Sequence, residues 1–445
     1  MSNGVPEAYD PRGHLMKHEN KATEYMVETR AGRLNFAIAT VIGLLTLASG
    51  LLGPAQSSTA AEKPSEGQAP AQERIVIDPS QIEDQKGLSA RAQSGQSTEP
   101  IKAETTCSKD PDGASICVTL GEQEESGLKP HAALPLPKNL CKSGVRSSDR
   151  TNGCVGVPLT IKHHSGKGAV LGTLTGTAYV YQYSATNQTR IGNQLTLVTS
   201  KTSGTGNQFS IVGNTPKCSG SCSRTGALTS LAGKALKAGK TLSAESYYNW
   251  TGKSARTNQN LSWNLTIKHP RVAQVLPFNY AGASPVRCDR EYKSISAGCI
   301  MTKGQVAIGY DRASHPNFAK HVTDAQKSGL PGKSTALKRL KPGQSSAKNR
   351  SKACPSRLKR PSGYSCDEYP FASTQQGAYY GGGTGRTFSQ CKISDKAYPV
   401  GAKGGKGYSA CMIPQKENSA AGSELSKFFK ESRVLTGDSF FVQIL

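Results

Sequence analysis

Alternation of hydrophobic and polar residues is the dominant pattern in the middle of the chain, over residues 141–275. Segments 173–181, 194–197 and 261–267 place apolar or small side chains at every second position, and Gly, Asn and Ser separate these segments. A period of two between turn residues is typical of half-buried antiparallel strands. The pattern predicts an all-β, sandwich-like module, and it contains no constellation of catalytic residues.

The pattern changes in residues 276–445. Within 317–327, Phe318, Val322 and Ala325 fall on one face of a helix with ~3.6 residues per turn. The closing residues 438–445 have the composition of a buried strand. This region is therefore predicted to mix helix and strand.

The start of the chain contains one long apolar segment, residues 34–52, which carries no charge. Arg30 and Arg33 precede it, and small residues follow it up to position 61. A basic flank, an apolar stretch and small residues are typical of a secretory signal. Residues 1–33 are a long leading region, so 34–61 is either a signal peptide with a later start or an anchor of the ~20 residues that span a bilayer. Both interpretations place the rest of the chain outside the cytoplasm.

Residues 62–140 are rich in Pro, Ser, Gln, Ala and Glu and poor in aromatic residues. Such a composition buries too little apolar surface to offset the entropy lost on ordering. A mostly disordered linker is predicted, with at most a small hairpin between Cys107 and Cys117.

Charge narrows the choice of partner. The 445 residues include 55 Lys and Arg against 31 Asp and Glu, a net charge of +24. This excess favours a polyanion: nucleic acid, an anionic cell wall or a lipid surface. Residues 333–360 hold ten Lys and Arg and no acid. We predict a basic loop there that contacts phosphates, with candidate residues Lys338, Arg339, Lys341, Arg357, Lys359 and Arg360.

All 12 cysteines lie beyond residue 106 and fall into six pairs of close sequence neighbours. An even, clustered set indicates disulfides formed outside the cytoplasm, although spacing alone leaves their connectivity open. Zinc is the alternative for Cys218 and Cys222, but no second Cys or His pair stands at a matching distance. The disulfide candidates are Cys107, Cys117, Cys141, Cys154, Cys218, Cys222, Cys288, Cys299, Cys354, Cys366, Cys391 and Cys411.

Adjacent acids in residues 366–374, Cys-Asp-Glu-Tyr-Pro-Phe-Ala-Ser-Thr, are the main candidate for chemistry. Paired carboxylates beside a basic stretch can bind a divalent metal or activate water. The structural alternative is that Asp367 caps the start of a helix.

This block resembles the secreted NucA/NucB-type deoxyribonucleases of Gram-positive bacteria. The likeness extends to 417–423 (Glu-Asn-Ser-Ala-Ala-Gly-Ser) and to 433–440 near the end of the chain, and it covers roughly residues 280–445. The family is similar to the ββα-metal (His-Me finger) nucleases, with a carboxylate in place of the general-base His. The resemblance implies an α+β nuclease domain over 276–445.

The resemblance also implies roles for individual residues. Asp367 would take a proton from the attacking water, and Asn418 would help hold a divalent cation, Mg²⁺ or Mn²⁺. Glu368 and Glu417 are candidates for a second ligand or for orienting water. Some members carry an acid where this chain has Gln376, which would weaken a metal site if that acid is a ligand.

Together these observations predict a secreted or membrane-tethered endonuclease that cuts extracellular DNA, with no small-molecule cofactor and a possible tether through residues 34–52. One alternative is a non-catalytic binder of extracellular DNA or cell-wall polymer on a nuclease scaffold. The other is an exported nuclease toxin.

Overall fold

The computed structural model describes residues 92–121 and 136–445. The predicted leading region 1–33 and the signal or anchor at 34–61 lie outside these residues. In the part that is described, no helix is long and apolar enough to cross a membrane.

Strands dominate the described chain, and helices are few. The strands, numbered in chain order, are β1 (Ala92–Gly95), β2 (Ser97–Pro100), β3 (Glu104–Lys109), β4 (Ser115–Leu120), β5 (Val145–Ser148), β6 (Asn152–His164), β7 (Val170–Ala185), β8 (Gln188–Gly204), β9 (Ser210–Ser219), β10 (Cys222–Thr225), β11 (Thr241–Trp250), β12 (Arg256–His269), β13 (Val272–Ala281), β14 (Val286–Asp289), β15 (Gly298–Met301), β16 (Gln305–Tyr310), β17 (Leu337–Lys338), β18 (Tyr364–Tyr369), β19 (Gly385–Arg386), β20 (Tyr408–Pro414) and β21 (Ser439–Ile444). The α-helices are α1 (Pro316–Lys327), α2 (Ser346–Ala353) and α3 (Gln415–Glu431).

Two sheets form the β-rich module. The first has nine strands in the order β10-β11-β8-β7-β6-β4-β3, with β2 and β5 attached beside β6. The second sheet has five strands. Strand β12 lies at its centre, where one part of it pairs with β9 and β13 and another part pairs with β14. Apolar residues of both sheets, including Val180, Leu195, Trp263 and Phe278, form one core between them. The predicted alternation at 261–267 is seen directly, with Leu261, Trp263, Leu265 and Ile267 buried.

Strand β7 departs from the predicted half-buried pattern because it is buried on both faces along much of its length. Its second face carries Tyr181 and Tyr183, which pack with Leu136, Leu140 and Cys154. The segment that begins at residue 136 therefore covers the face that the sequence pattern leaves for solvent.

Residues 92–120, which fall within the predicted linker over 62–140, contain four strands. Strand β1 pairs with β16, and β2 pairs with β5. Strands β3 and β4 form the hairpin joined by Cys107–Cys117, and β4 pairs with β6. Strand β4 buries Ile116 and Val118 in the core. Strands β2 and β3 are mostly exposed, and the sheet they extend satisfies their backbone groups.

The C-terminal region has a β-sheet of order β1-β16-β21-β17 and a second of order β18-β20-β19. Helices α1 and α3 share one apolar core with them, built around Val322, Phe371, Phe428 and Phe440. The predicted helix at 317–327 and the predicted final strand are both present. Within the predicted basic loop 333–360, residues 346–353 instead form α2. Ser345 begins this helix by accepting a hydrogen bond from the Ala347 backbone N–H, a common N-cap interaction.

Six disulfides join the six pairs of neighbouring cysteines. Cys218 and Cys222 are bonded to each other, which removes the zinc alternative for them. The Cys354–Cys366 bridge lies directly before the acidic pair, and Cys391–Cys411 joins a 3₁₀ turn to β20.

The module and the C-terminal region are joined by a buried ionic cluster. Arg433, which is fully buried, donates to the Asp289 carboxylate at 2.6 Å and also to the carbonyls of Thr186 and Ser296. Arg287 donates to both carboxylate oxygens of Asp438, at 2.7 and 2.8 Å.

Arg150 completes this cluster by donating to the carbonyls of Ser432 and Arg433. Burial lowers the pKa of Arg150 to about 10, against the opposing effect of Asp438, so the guanidinium stays charged at neutral pH. Strand β14, which carries Asp289, is paired with β12 of the module. The division at 275/276 remains a prediction. An isolated 276–445 fragment would lose the contacts to Arg150 and Thr186 and the pairing of β14 with β12, but it would keep the pairs of Arg433 with Asp289 and of Arg287 with Asp438.

Replacing Arg433 by Ala should destabilise the protein strongly, because the Asp289 carboxylate would stay buried and would keep only the longer contact with Arg287, at 3.6 Å. Breaking a buried ion pair in this way costs about 3–5 kcal/mol. The measurement is urea unfolding of the full chain. Lys427→Ala is the control, since Lys427 makes an exposed pair with Glu431 at 3.6 Å, and such pairs contribute about 0–1 kcal/mol. Equal stability of the two variants would contradict the expectation.

Candidate functional site

Strand β18 carries the adjacent acids Asp367 and Glu368. It pairs antiparallel with β20, where Asp367 stands opposite Cys411 and Glu368 opposite Ala410. The two acids therefore belong to a strand, and Asp367 does not cap a helix. Extended backbone sends neighbouring side chains to opposite faces, which gives the two carboxyl groups different surroundings.

Asp367 is held by a buried histidine. His321 Nδ1–H donates to Asp367 Oδ2 at 2.6 Å, and His321 Nε2 lies 2.9 Å from Ser409 Oγ. The His321 ring is completely buried and Asp367 is 6% exposed. This contact with His321 fixes the orientation of the Asp367 carboxylate.

Glu368 has a less polar environment. Burial, and secondly the charge of Asp367, raise its pKa from an ordinary value near 4.5 to about 7. Arg350, with Nε 3.7 Å from Glu368 Oε1, and the Ala372 backbone N–H act in the opposite direction. A carboxyl group that titrates near pH 7 can act as a general acid or base at neutral pH.

Asp367 and Glu368 both line a cavity of about 430 Å³. Two cations, Arg339 and Arg350, share its wall with Asn418 from the first turn of α3. Aromatic side chains close the remaining sides: Tyr310, Phe318, Phe371 and Phe429. The cavity thus combines acids, guanidinium groups and an amide within an apolar surround, as active sites commonly do.

Asn418 and Glu417 have different surroundings although they are neighbours in sequence. The Asn418 amide nitrogen donates to Ser365 Oγ at 2.9 Å and more weakly to the Cys366 carbonyl, which directs its amide oxygen elsewhere. Glu417 accepts the Phe318 backbone N–H at 2.7 Å and the Asn317 side-chain amide at 2.9 Å. Glu417 therefore holds the first turn of α1, and it does not line the cavity.

Arg339 is the predicted phosphate-binding residue that the structure brings to the cavity. Its guanidinium donates to Tyr292 Oη and to the Val434 carbonyl, and it lies over the ring of Phe429. Lys338, Lys341 and Lys359 are exposed elsewhere on the surface. Arg357 pairs with Asp395, and Arg360 donates to the carbonyls of Cys354 and Leu358.

Three residues of this site are not among the candidates that the sequence predicts: His321, Ser409 and Arg350. His321 follows Phe318 by three residues and precedes Ala325 by four, so helical periodicity already placed it on the buried face. Nothing in the sequence indicates that Ser409, 88 residues further along, meets the same ring.

Gln376 lies outside the cavity. Its Oε1 accepts the backbone N–H of Lys338 at 3.0 Å, and it helps to join this loop to β17. An amide at this position therefore removes no carboxylate from the cavity wall.

Residues 319–399 match the family described as Deoxyribonuclease NucA/NucB. This confirms the resemblance of the C-terminal region, and the match includes His321, Asp367 and Glu368 but ends before Asn418. A comparison with curated proteins found no match to the chain.

Arg350→Ala should raise the pKa of Glu368 above about 7, because the positive charge that favours its ionised form is removed. The measurement is a pH titration of the carboxyl ¹³C resonances, with Glu368→Gln used to assign the signal. Arg357→Ala, which removes a surface arginine paired with Asp395, should leave the titration unchanged. A Glu368 midpoint that is the same in both arginine variants would contradict the assignment.

Proposed function

We propose that the chain is a secreted, metal-dependent endodeoxyribonuclease that hydrolyses phosphodiester bonds of extracellular DNA. The observation that carries this proposal is the acidic pair in one cavity with Arg339 and Arg350, inside the region that matches NucA/NucB. The net charge of +24 suits a polyanionic substrate. The six disulfides support function outside the cytoplasm.

A divalent cation fits the donors of this cavity. Among the described residues, no group of three or more His, Cys, Asp or Glu is arranged to hold a metal. Mg²⁺ is commonly bound through few protein oxygens, with water and substrate phosphate completing its shell. The Asn418 amide oxygen would hold the ion, which when bound stabilises negative charge on the phosphoryl and leaving oxygens.

The two carboxyl groups have different roles in proton transfer, one as the base and the other as the acid. Asp367 accepts a proton from the water whose oxygen attacks phosphorus, and His321 fixes the orientation of its carboxylate. Glu368, still protonated in part at pH 7, donates a proton to the oxygen that leaves as the P–O bond breaks. Carboxyl groups whose environments differ this way commonly serve as base and acid. Arg339 and Arg350 neutralise the phosphate that enters between them.

We include in the proposal that the C-terminal region belongs to the class of the ββα-metal nucleases, with the Asp367 carboxylate in place of their general-base His. A binder on an inactive scaffold was suggested by Gln376, but that side chain contacts the Lys338 backbone instead of the cavity. The intact acidic pair supports catalysis over binding alone.

Plasmid nicking tests the proposal. The full oxidised chain should nick supercoiled DNA with Mg²⁺ or Mn²⁺ and should lose this activity in EDTA. Asp367→Asn should lower the rate by about 10²–10⁴-fold, the usual contribution of a general base, and should keep salt-sensitive DNA binding. Asp395→Asn, which changes a surface acid, is the control. DNA that is retarded but never cut would make the protein a binder.

The pH profile tests the role of Glu368. Because its protonated form is the active one, the rate should fall above about pH 7, approaching tenfold per pH unit once the group is mostly ionised. Glu368→Gln should have a lower rate and should lack this limb. A variant that keeps the same decline above pH 7 would assign the limb to another group.

A further inference from the structure

An exposed aromatic ring stands next to the basic helix that borders the cavity. Tyr379 is 53% exposed, and among the described residues it is the only aromatic one of the exposed large hydrophobic side chains. It follows the 370–377 segment, which leads away from the acidic strand. The ring itself packs edge-on against Tyr380, with centroids 5.0 Å apart.

The backbone under this ring is firmly held. Asn349 of α2 is completely buried. Its Oδ1 accepts the backbone N–H groups of Tyr379 and Tyr380 at 2.9 and 3.2 Å, and its Nδ2 donates to the carbonyls of Ala372 and Thr374. The amide of Asn349 thus makes all four hydrogen bonds that it can form.

Close packing adds to this constraint. A Cβ atom at Gly377 would lie 2.3 Å from Asn349 Nδ2, so only glycine fits there. Tyr380 Oη accepts the Ser345 backbone N–H at 2.8 Å. Tyr379 therefore presents a ring in solvent on a fixed backbone, which limits the entropy lost when a ligand stacks on it.

A basic helix, α2, lies beside the ring and leads to the cavity. Lys348 Nζ lies 5.4 Å from the Tyr379 ring centroid. Helix α2 also carries Arg350 and Lys352 and contains no acid. Its residues Ser346 and Arg350 line the cavity that holds the acidic pair. Eight residues of helix extend about 12 Å, the length of three to four nucleotides at ~3.4 Å each.

We propose that Tyr379 is a stacking platform for an unpaired DNA base and that α2 binds the adjoining phosphates, so that the protein prefers single-stranded or locally melted DNA to intact duplex. The inference rests on the proposed function for its substrate. In a duplex both faces of an internal base are covered by its neighbours, whereas an unpaired base offers a face to an aromatic ring. Aromatic rings within a basic groove are the usual means of binding single strands.

Binding measured in EDTA tests this preference without any cleavage. Fluorescence anisotropy would compare a labelled single-stranded oligonucleotide with the blunt-ended duplex that it forms with its complement, using the full chain. Tyr379→Ala should weaken single-strand binding about tenfold, within the range measured for loss of one base stack, and should change duplex binding less than twofold. Tyr379→Phe retains the ring face and should bind as the unmodified protein does. Thermal melting checks that each variant is folded.

Three outcomes would overturn the inference. These are unchanged single-strand binding in Tyr379→Ala, an equal loss for both DNA forms, and a Tyr379→Phe variant as weak as Tyr379→Ala. A Tyr379→Ala variant that lost binding to purified cell wall but kept its DNA affinities would assign the ring to a wall polymer instead. Failure of the nicking assay would count against the proposed nuclease activity alone, because binding in EDTA is measured without catalysis.

Discussion

The buried pair of Arg433 and Asp289 is the interaction on which the arrangement of the C-terminal region depends. Both side chains are fully buried, and charges in such a place are tolerated only when each has a close partner. Arg287 and Asp438 extend the cluster along the 433–438 turn. The opposite side of that turn presents the Val434 carbonyl to Arg339, which lines the cavity. The β-rich module therefore helps to set the position of a cation in the candidate active site.

Different surroundings for two adjacent acids are the main chemical feature of that site. Strand geometry separates the side chains of Asp367 and Glu368, although their backbones are joined. One carboxylate receives a hydrogen bond from His321, whereas the other is desolvated and lies near Arg350. The sequence shows that both residues are acids. The difference between their surroundings comes from His321 on α1 and Arg350 on α2, two helices that precede the strand in the chain and pack against its sheet.

Helix α2 connects several of these features. Asn349 on its buried face joins it to the loops at 372–374 and 379–380, while Arg350 on its exposed side approaches Glu368. Pro and Gly on both sides of this helix made the whole basic run appear to be a loop. The helix forms nonetheless because it fits between these breakers, begins with a Ser345 cap, and fixes its buried face through the four hydrogen bonds of Asn349.

The sequence by itself determined the alternating strands around Trp263, the helix containing His321, the grouping of the cysteines into close neighbours and the adjacency of the acids at 367 and 368. All of these depend on periodicity or on residues close together in the chain. Only the tertiary structure decided that His321 holds Asp367, that Glu417 supports α1 outside the cavity, and that strands at 92–120 extend the sheets. These results depend on contacts between distant segments, because burial and hydrogen-bond partners are set by whichever elements pack together.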